Sequence, residues 1–109
     1  MSRTHYTLRY LPLFYNDLEN HVRYISEVLG NVEAASNLLD EIESAILSRL
    51  PAAESFEPYR SAKERSYPYY RIYVRNYTIY YVVIPQKEDE RVMEVRRVLH
   101  NLQDRNKKK

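Results

Sequence analysis

Residues 69–100 read YYRIYVRNYTIYYVVIPQKEDERVMEVRRVLH, and this stretch decides the fold. It divides into three β-rich runs separated by two turn signals. In the first, Tyr70, Ile72 and Val74 alternate with Arg71, Tyr73 and Arg75, the period of two expected of a strand with one covered face. Asn76 is the turn residue. Tyr77 to Ile84 is apolar on both faces, as a central strand is, and Pro85 closes it. Gln86 to Glu90 is a charged hairpin loop. In the last run, Arg91 to Leu99, alternation assigns Met93, Val95 and Leu99 to one face. It assigns Glu94, Arg96 and His100 to the other, with Val98 between.

Upstream, the spacing predicts what covers this sheet. Leu11, Phe14, Tyr15, Leu18, Val22, Ile25 and Leu29 recur at helical intervals after Pro12, a residue at home in a first turn. Asp17, Glu19, Asn20, Arg23 and Glu27 lie between them on the predicted wet side. Gly30 is placed to end this helix. Asn31 is placed to cap a second one, whose apolar stripe is Ala35, Leu38, Leu39, Ile42, Ile46 and Leu50. Pro51 stops it. Two amphipathic helices with almost no linker form an antiparallel hairpin. Tyr6, Leu8 and Tyr10 alternate within a short first strand, Thr4 to Tyr10. Residues 51–68 hold three prolines and no periodicity, and are read as a loop.

The element order is therefore β-α-α-β-β-β. That is an α+β fold, an antiparallel sheet with a helical hairpin packed on one face and the other face open, basic and rich in tyrosine. A chain of 109 residues is one domain, 1–109, ending in a polar tail over residues 101–109 that closes on three lysines.

Composition excludes several chemistries. With no cysteine there is no disulfide, thiolate metal site or thiol nucleophile. Gly30 is the sole glycine, so phosphate-cradling glycine loops are excluded. No cofactor and no metal are expected. No apolar run approaches the roughly 18–20 residues of a membrane span, and MSRTHYTLRYLPLF lacks the apolar core of a secretion signal; a cytoplasmic protein is expected. The net charge of +2 conceals an asymmetry. Residues 1–55 carry four basic and eight acidic side chains, 4 − 8 = −4, and residues 56–109 carry thirteen and seven, 13 − 7 = +6. A positive patch on the sheet suits a polyanion or an acidic protein.

Three segments then carry a resemblance: YNDLENHVRYISEVLGNVEAA across the two helices, VRNYTIYYVV in the central strands and VRRVLHNLQD at the close. In order and spacing they resemble the RelE/ParE superfamily of bacterial type II toxins, over about Tyr6 to Asp104. The resemblance implies a small toxin neutralised by a cognate antitoxin. The RelE-like branch cleaves mRNA on the ribosome, and the ParE-like branch inhibits DNA gyrase without nuclease activity. A ribosome-dependent mRNA endonuclease is the favoured expectation, the gyrase inhibitor the alternative, and a non-toxic binding module a third reading.

RNA cleavage through the 2′-hydroxyl needs an acid, a base and cations for the phosphorane. Arg71, Arg75 and Arg96 are the candidate cations and His100 the candidate acid or base. Tyr73 and Tyr77 are candidates for stacking on bases, and Arg60, Lys63 and Arg65 in the loop for binding nucleic acid or a partner. Competing readings are structural. A histidine at this position occurs in the non-nuclease branch too, and Arg97 is expected to form a structural ion pair. The position held by Thr78 is an arginine in many relatives. At Asn101 nucleases often carry another basic or aromatic group. The cationic set is thus incomplete.

Overall fold

The computed structural model describes residues 4–59 and 66–102. Strand β1 spans His5–Tyr10, helix α1 Pro12–Arg23, helix α2 Val32–Arg49, and strands β2, β3 and β4 span Tyr70–Val74, Tyr77–Pro85 and Glu90–His100. The sheet order is β1-β4-β3-β2. β2, β3 and β4 form the expected antiparallel meander, while β1 lies parallel to β4 at the edge, Tyr10 opposite Val95. The helical hairpin and the segment after it thus carry the chain from one edge of the sheet to the other.

Local chemistry explains the hairpin. Pro12 opens α1, and the backbone N–H of Leu11 just before it donates to the Val95 carbonyl at 3.0 Å, so the helix starts against β4. Residues Tyr24–Val28 form a π-helical turn, a rare widening of the helix. Gly30 follows at φ +67, and the Asn31 side chain accepts from the Ala34 N–H at 3.0 Å to start α2. Both residues act as their types predict.

One core fills the space between helices and sheet. Phe14, Leu38, Ile42 and Ile46 pack against Tyr70, Ile72, Val74, Tyr77, Ile79, Tyr81, Val83, Met93, Val95 and Val98. Fully burying a side chain such as Leu38 or Ile42 contributes about 2 kcal/mol.

Two features depart from strict alternation. Tyr80 pairs with Arg97 but Tyr81 pairs with Val95, so Arg96 is an extra residue in β4, a β-bulge. The bulge shifts the phase by one: Val98 joins Met93 and Val95 in the core, Leu99 turns to the opposite face, where it is also buried, and His100 lies on the helix-covered side. Asp17, expected in water, is only 8 % exposed. β1 ends opposite Val95, and beyond that point α1 takes over the edge of β4. Asp17 accepts from the Val98 N–H at 3.1 Å and from the Arg97 guanidinium at 2.7 and 2.9 Å. The Val98 carbonyl accepts from Nε2 of His21 at 2.7 Å. Helix side chains replace the missing strand's hydrogen bonds, because a buried backbone group needs a partner.

Candidate functional site

The face away from the helices carries Arg71 and Tyr73 of β2, Tyr80 of β3 and Glu94 and Arg96 of β4. Arg71 pairs across the sheet with Tyr80, which pairs with Arg97 beside the bulge, so Arg71 and Arg96 share one end of this face. The Arg71 guanidinium lies 4.3 Å from the ring centre of Tyr59 and 5.7 Å from that of Tyr73. Tyr59 and Tyr69, joined by a β-bridge, both meet the Tyr80 ring edge-on, at 6.4 and 5.8 Å. Tyr73 is 62 % exposed.

Arg96 is held differently. Its guanidinium donates to Glu94 at 2.8 Å, hydrogen-bonds the Tyr69 phenol and lies 5.8 Å from that ring's centre. Glu94 also takes two hydrogen bonds from Arg9, at 3.0 and 2.8 Å. Burial pushes the Glu94 carboxyl up, but the bonds from Arg96 and Arg9 outweigh it and hold the pKa below its ordinary value. One buried carboxylate is therefore shared by two arginines, whereas Arg71 has no carboxylate partner among the described residues.

A second constellation lies at the other side of the sheet, between the helical hairpin and the ends of β3 and β4. This cleft, of about 610 Å³, is lined among others by His21, Tyr24, Leu29, Arg75, Tyr77 and His100. The Tyr77 ring sits between His21 and His100, edge-on to both at 4.8 and 5.1 Å. Nδ1 of His100 accepts from the Leu102 N–H at 3.2 Å, which requires that nitrogen to be unprotonated. Asn101 is fixed by its N–H to the Asn76 carbonyl at 2.8 Å and by the Thr78 hydroxyl at 2.7 Å. Thr78 thus orders the C-terminal turn rather than offering charge.

The four expected catalytic groups do not converge. Arg71 and Arg96 share the face away from the helices, whose middle, at Thr78, Val82 and Leu99, is buried. Arg75 leaves the strand alternation: it occupies the two-residue β2–β3 turn at φ 54 and pairs with Glu41 of α2 through two contacts of 2.6 Å. His100, displaced in phase by the bulge, faces the helices. Tyr77 is buried in the core at 8 % exposure, not set for stacking on bases, because it shares the face of Ile79 and Tyr81. Tyr73 is exposed beside Arg71 as expected. Arg60, Lys63 and Arg65 lie outside the described residues. Arg97 forms its expected structural pair, with Asp17.

Sequence reading missed Tyr59, Tyr69 and Tyr80 as a cluster. The only signal was their residue type, since the β-bridge that gathers them is tertiary. It also missed Glu94 as the shared counter-ion of Arg9 and Arg96, a contact made by the β1–β4 pairing.

Among the described residues no group of three or more histidine, aspartate or glutamate side chains is placed to hold a metal ion, and no helix is long and apolar enough to cross a membrane. No curated protein matches the chain. Residues 8–105 match the family model described as the ParE toxin of the type II toxin–antitoxin system, parDE. That span runs from within β1 to beyond β4, so it includes the helical hairpin, the whole meander and the bulge. The chain belongs to the ParE toxin family of type II toxin–antitoxin systems.

Proposed function

We propose that this toxin arrests cells by binding DNA gyrase rather than by cutting mRNA, its partner in the uninhibited cell being a cognate antitoxin. Family membership implies the antitoxin partner. The choice of gyrase rests on the ParE-like branch of the superfamily and on one observation above all. The sheet lies between the imidazole and two of the three cations that RNA cleavage would need together. His100 packs against Tyr77 on the helix side, while Arg71 and Arg96 occupy the opposite face. Arg75 is engaged by Glu41. General acid–base catalysis requires the proton donor within hydrogen-bond reach of the leaving oxygen. An inhibitor that works by binding has no such requirement.

The nuclease reading keeps one supporting feature, the tyrosines and arginines on the face away from the helices. A paired assay separates the two. Purified toxin is added to gyrase supercoiling relaxed plasmid, and its induction in cells is followed by primer extension on a translated message. Loss of supercoiling with intact messages is the expected result. Cuts within codons, absent when translation is blocked, with supercoiling unaffected, would replace this reading by the ribosome-dependent nuclease.

A further inference from the structure

A further hollow, of about 400 Å³, lies between α1 and α2 where β1 joins the hairpin. Its floor is apolar, made by Phe14 and Leu18 of α1 and Ile42 and Ile46 of α2. On one wall the rings of Tyr10, Phe14 and Tyr15 form a triangle, 5.1, 5.5 and 5.8 Å between centres. Tyr15 is 54 % exposed, so an aromatic face stays accessible. On the other wall stand Asp40 and Glu43 of α2, both exposed and one helical turn apart. Neither carboxylate has a basic partner among the described residues, whereas Glu41 between them is taken by Arg75. Burial first, then the charges of Tyr15 and Glu43, push the Tyr10 phenol above its ordinary pKa, so the Glu43 carboxylate acts on the ring cluster.

We infer that this hollow is a binding site for a free aliphatic polyamine. Each wall matches one part of such a molecule. An ammonium group over a tyrosine face is attracted by the ring quadrupole, more strongly where part of its water is removed. Neighbouring like charges repel along a helix, and an ammonium between Asp40 and Glu43 relieves that repulsion. The methylene chain between ammonium groups lies on the apolar floor, as the stem of a lysine covers apolar surface. A metal ion gains nothing from the rings or the floor, and two carboxylates fall short of the oxygen set that a hard divalent cation takes. A monoamine leaves one carboxylate unmatched. The bound polyamine bridges the rings of α1 to the carboxylates of α2 and so stabilises the folded hairpin. Amine binding here is independent of whether the toxin's target is gyrase or mRNA.

The test is a proton NMR titration of spermidine with the purified toxin at about 150 mM salt, where loose attraction to the surface is screened. The expected result is an upfield shift of the spermidine methylene protons, because protons held over an aromatic ring are shielded. It should saturate at one amine per chain, and the thermal midpoint of the toxin should rise with amine concentration. Tyr15→Ala and Glu43→Gln should each weaken binding about threefold or more, the scale of one cation–π contact or one ion pair. Tyr15→Phe should retain it, because the ring and not the hydroxyl meets the ammonium. Glu33→Gln, removing an exposed carboxylate from the first turn of the same helix, should leave it unchanged. Circular dichroism confirms that each variant is folded, and all three substituted side chains are exposed enough for the changes to be tolerated. No upfield shift with toxin and amine both at roughly millimolar concentration would overturn the inference. So would a shift that Tyr15→Ala and Glu43→Gln leave intact, or one that Glu33→Gln weakens equally, the mark of diffuse attraction to acidic surface. Tighter binding of a capped trilysine peptide, matched to spermidine in charge, would also overturn it and make the hollow a seat for a basic protein segment.

Discussion

Asp17→Ala is the substitution that most directly tests how α1 completes the sheet. Asp17 accepts the Val98 N–H at 3.1 Å and two bonds from Arg97 at 2.7 and 2.9 Å, in a site where the aspartate is 8 % exposed. Truncation leaves a buried backbone N–H without an acceptor, a cost of about 1–3 kcal/mol. It also leaves Arg97 without its counter-charge. Breaking a fully buried pair costs about 3–5 kcal/mol, but the Arg97 side chain is 28 % exposed and can turn toward water, so only part of that applies. Together these come to about 3 kcal/mol. With an m-value of about 1.5 kcal/mol/M, the urea midpoint should fall by about 2 M. Asp17→Asn keeps an oxygen for the Val98 N–H but loses the charge, and should cost about half as much. Asp17→Ala combined with Arg97→Ala should cost less than the two separately, since the stranded charge is gone. Equilibrium urea unfolding followed by circular dichroism reads the wild type and all four variants, Arg97→Ala alone included. An unfolding free energy for Asp17→Ala within about 0.5 kcal/mol of wild type would refute the reasoning.

Two further outcomes concern Glu94 and Arg75. The folded-state pKa of Glu94 lies below its ordinary value of 4.5, so its stabilisation is complete above the unfolded pKa and is lost as pH falls through the folded one. Wild-type urea midpoints should therefore drop on acidification below about pH 4.5, and Glu94→Gln should show a shallower drop; coincident slopes would remove Glu94 from the account. Arg75 holds φ 54, where a side chain costs about 1–2 kcal/mol relative to glycine. Arg75→Gly should recover much of that while losing the exposed Glu41 contact, leaving stability nearly unchanged or slightly raised. Arg75→Val, branched at Cβ, should be clearly less stable by the same unfolding measurement.

The α+β class, the order β-α-α-β-β-β and the helical hairpin were legible in the residues because each depends on local patterning. Proline at the start of α1, glycine and asparagine between the helices, and alternation in Tyr70 to Val74 act over a few bonds. The family resemblance was legible for the same reason, since it rests on the order of such segments. The assembly of the site was not. Alternation carried through Arg96 assigns His100 to the open face, but a bulge is a property of two paired strands, and one extra residue in β4 reverses every side chain after it. Helical spacing placed Asp17 in water, yet the end of β1 leaves an edge of β4 that α1 must satisfy, and Asp17 with His21 does so. The parallel seat of β1 likewise brings Arg9 to Glu94, residues separated by 85 positions. Period and caps are read along one chain, whereas register, edge and counter-ion exist only once two distant segments meet. The sequence by itself determined which elements form; the tertiary pairing decided which face each functional side chain occupies.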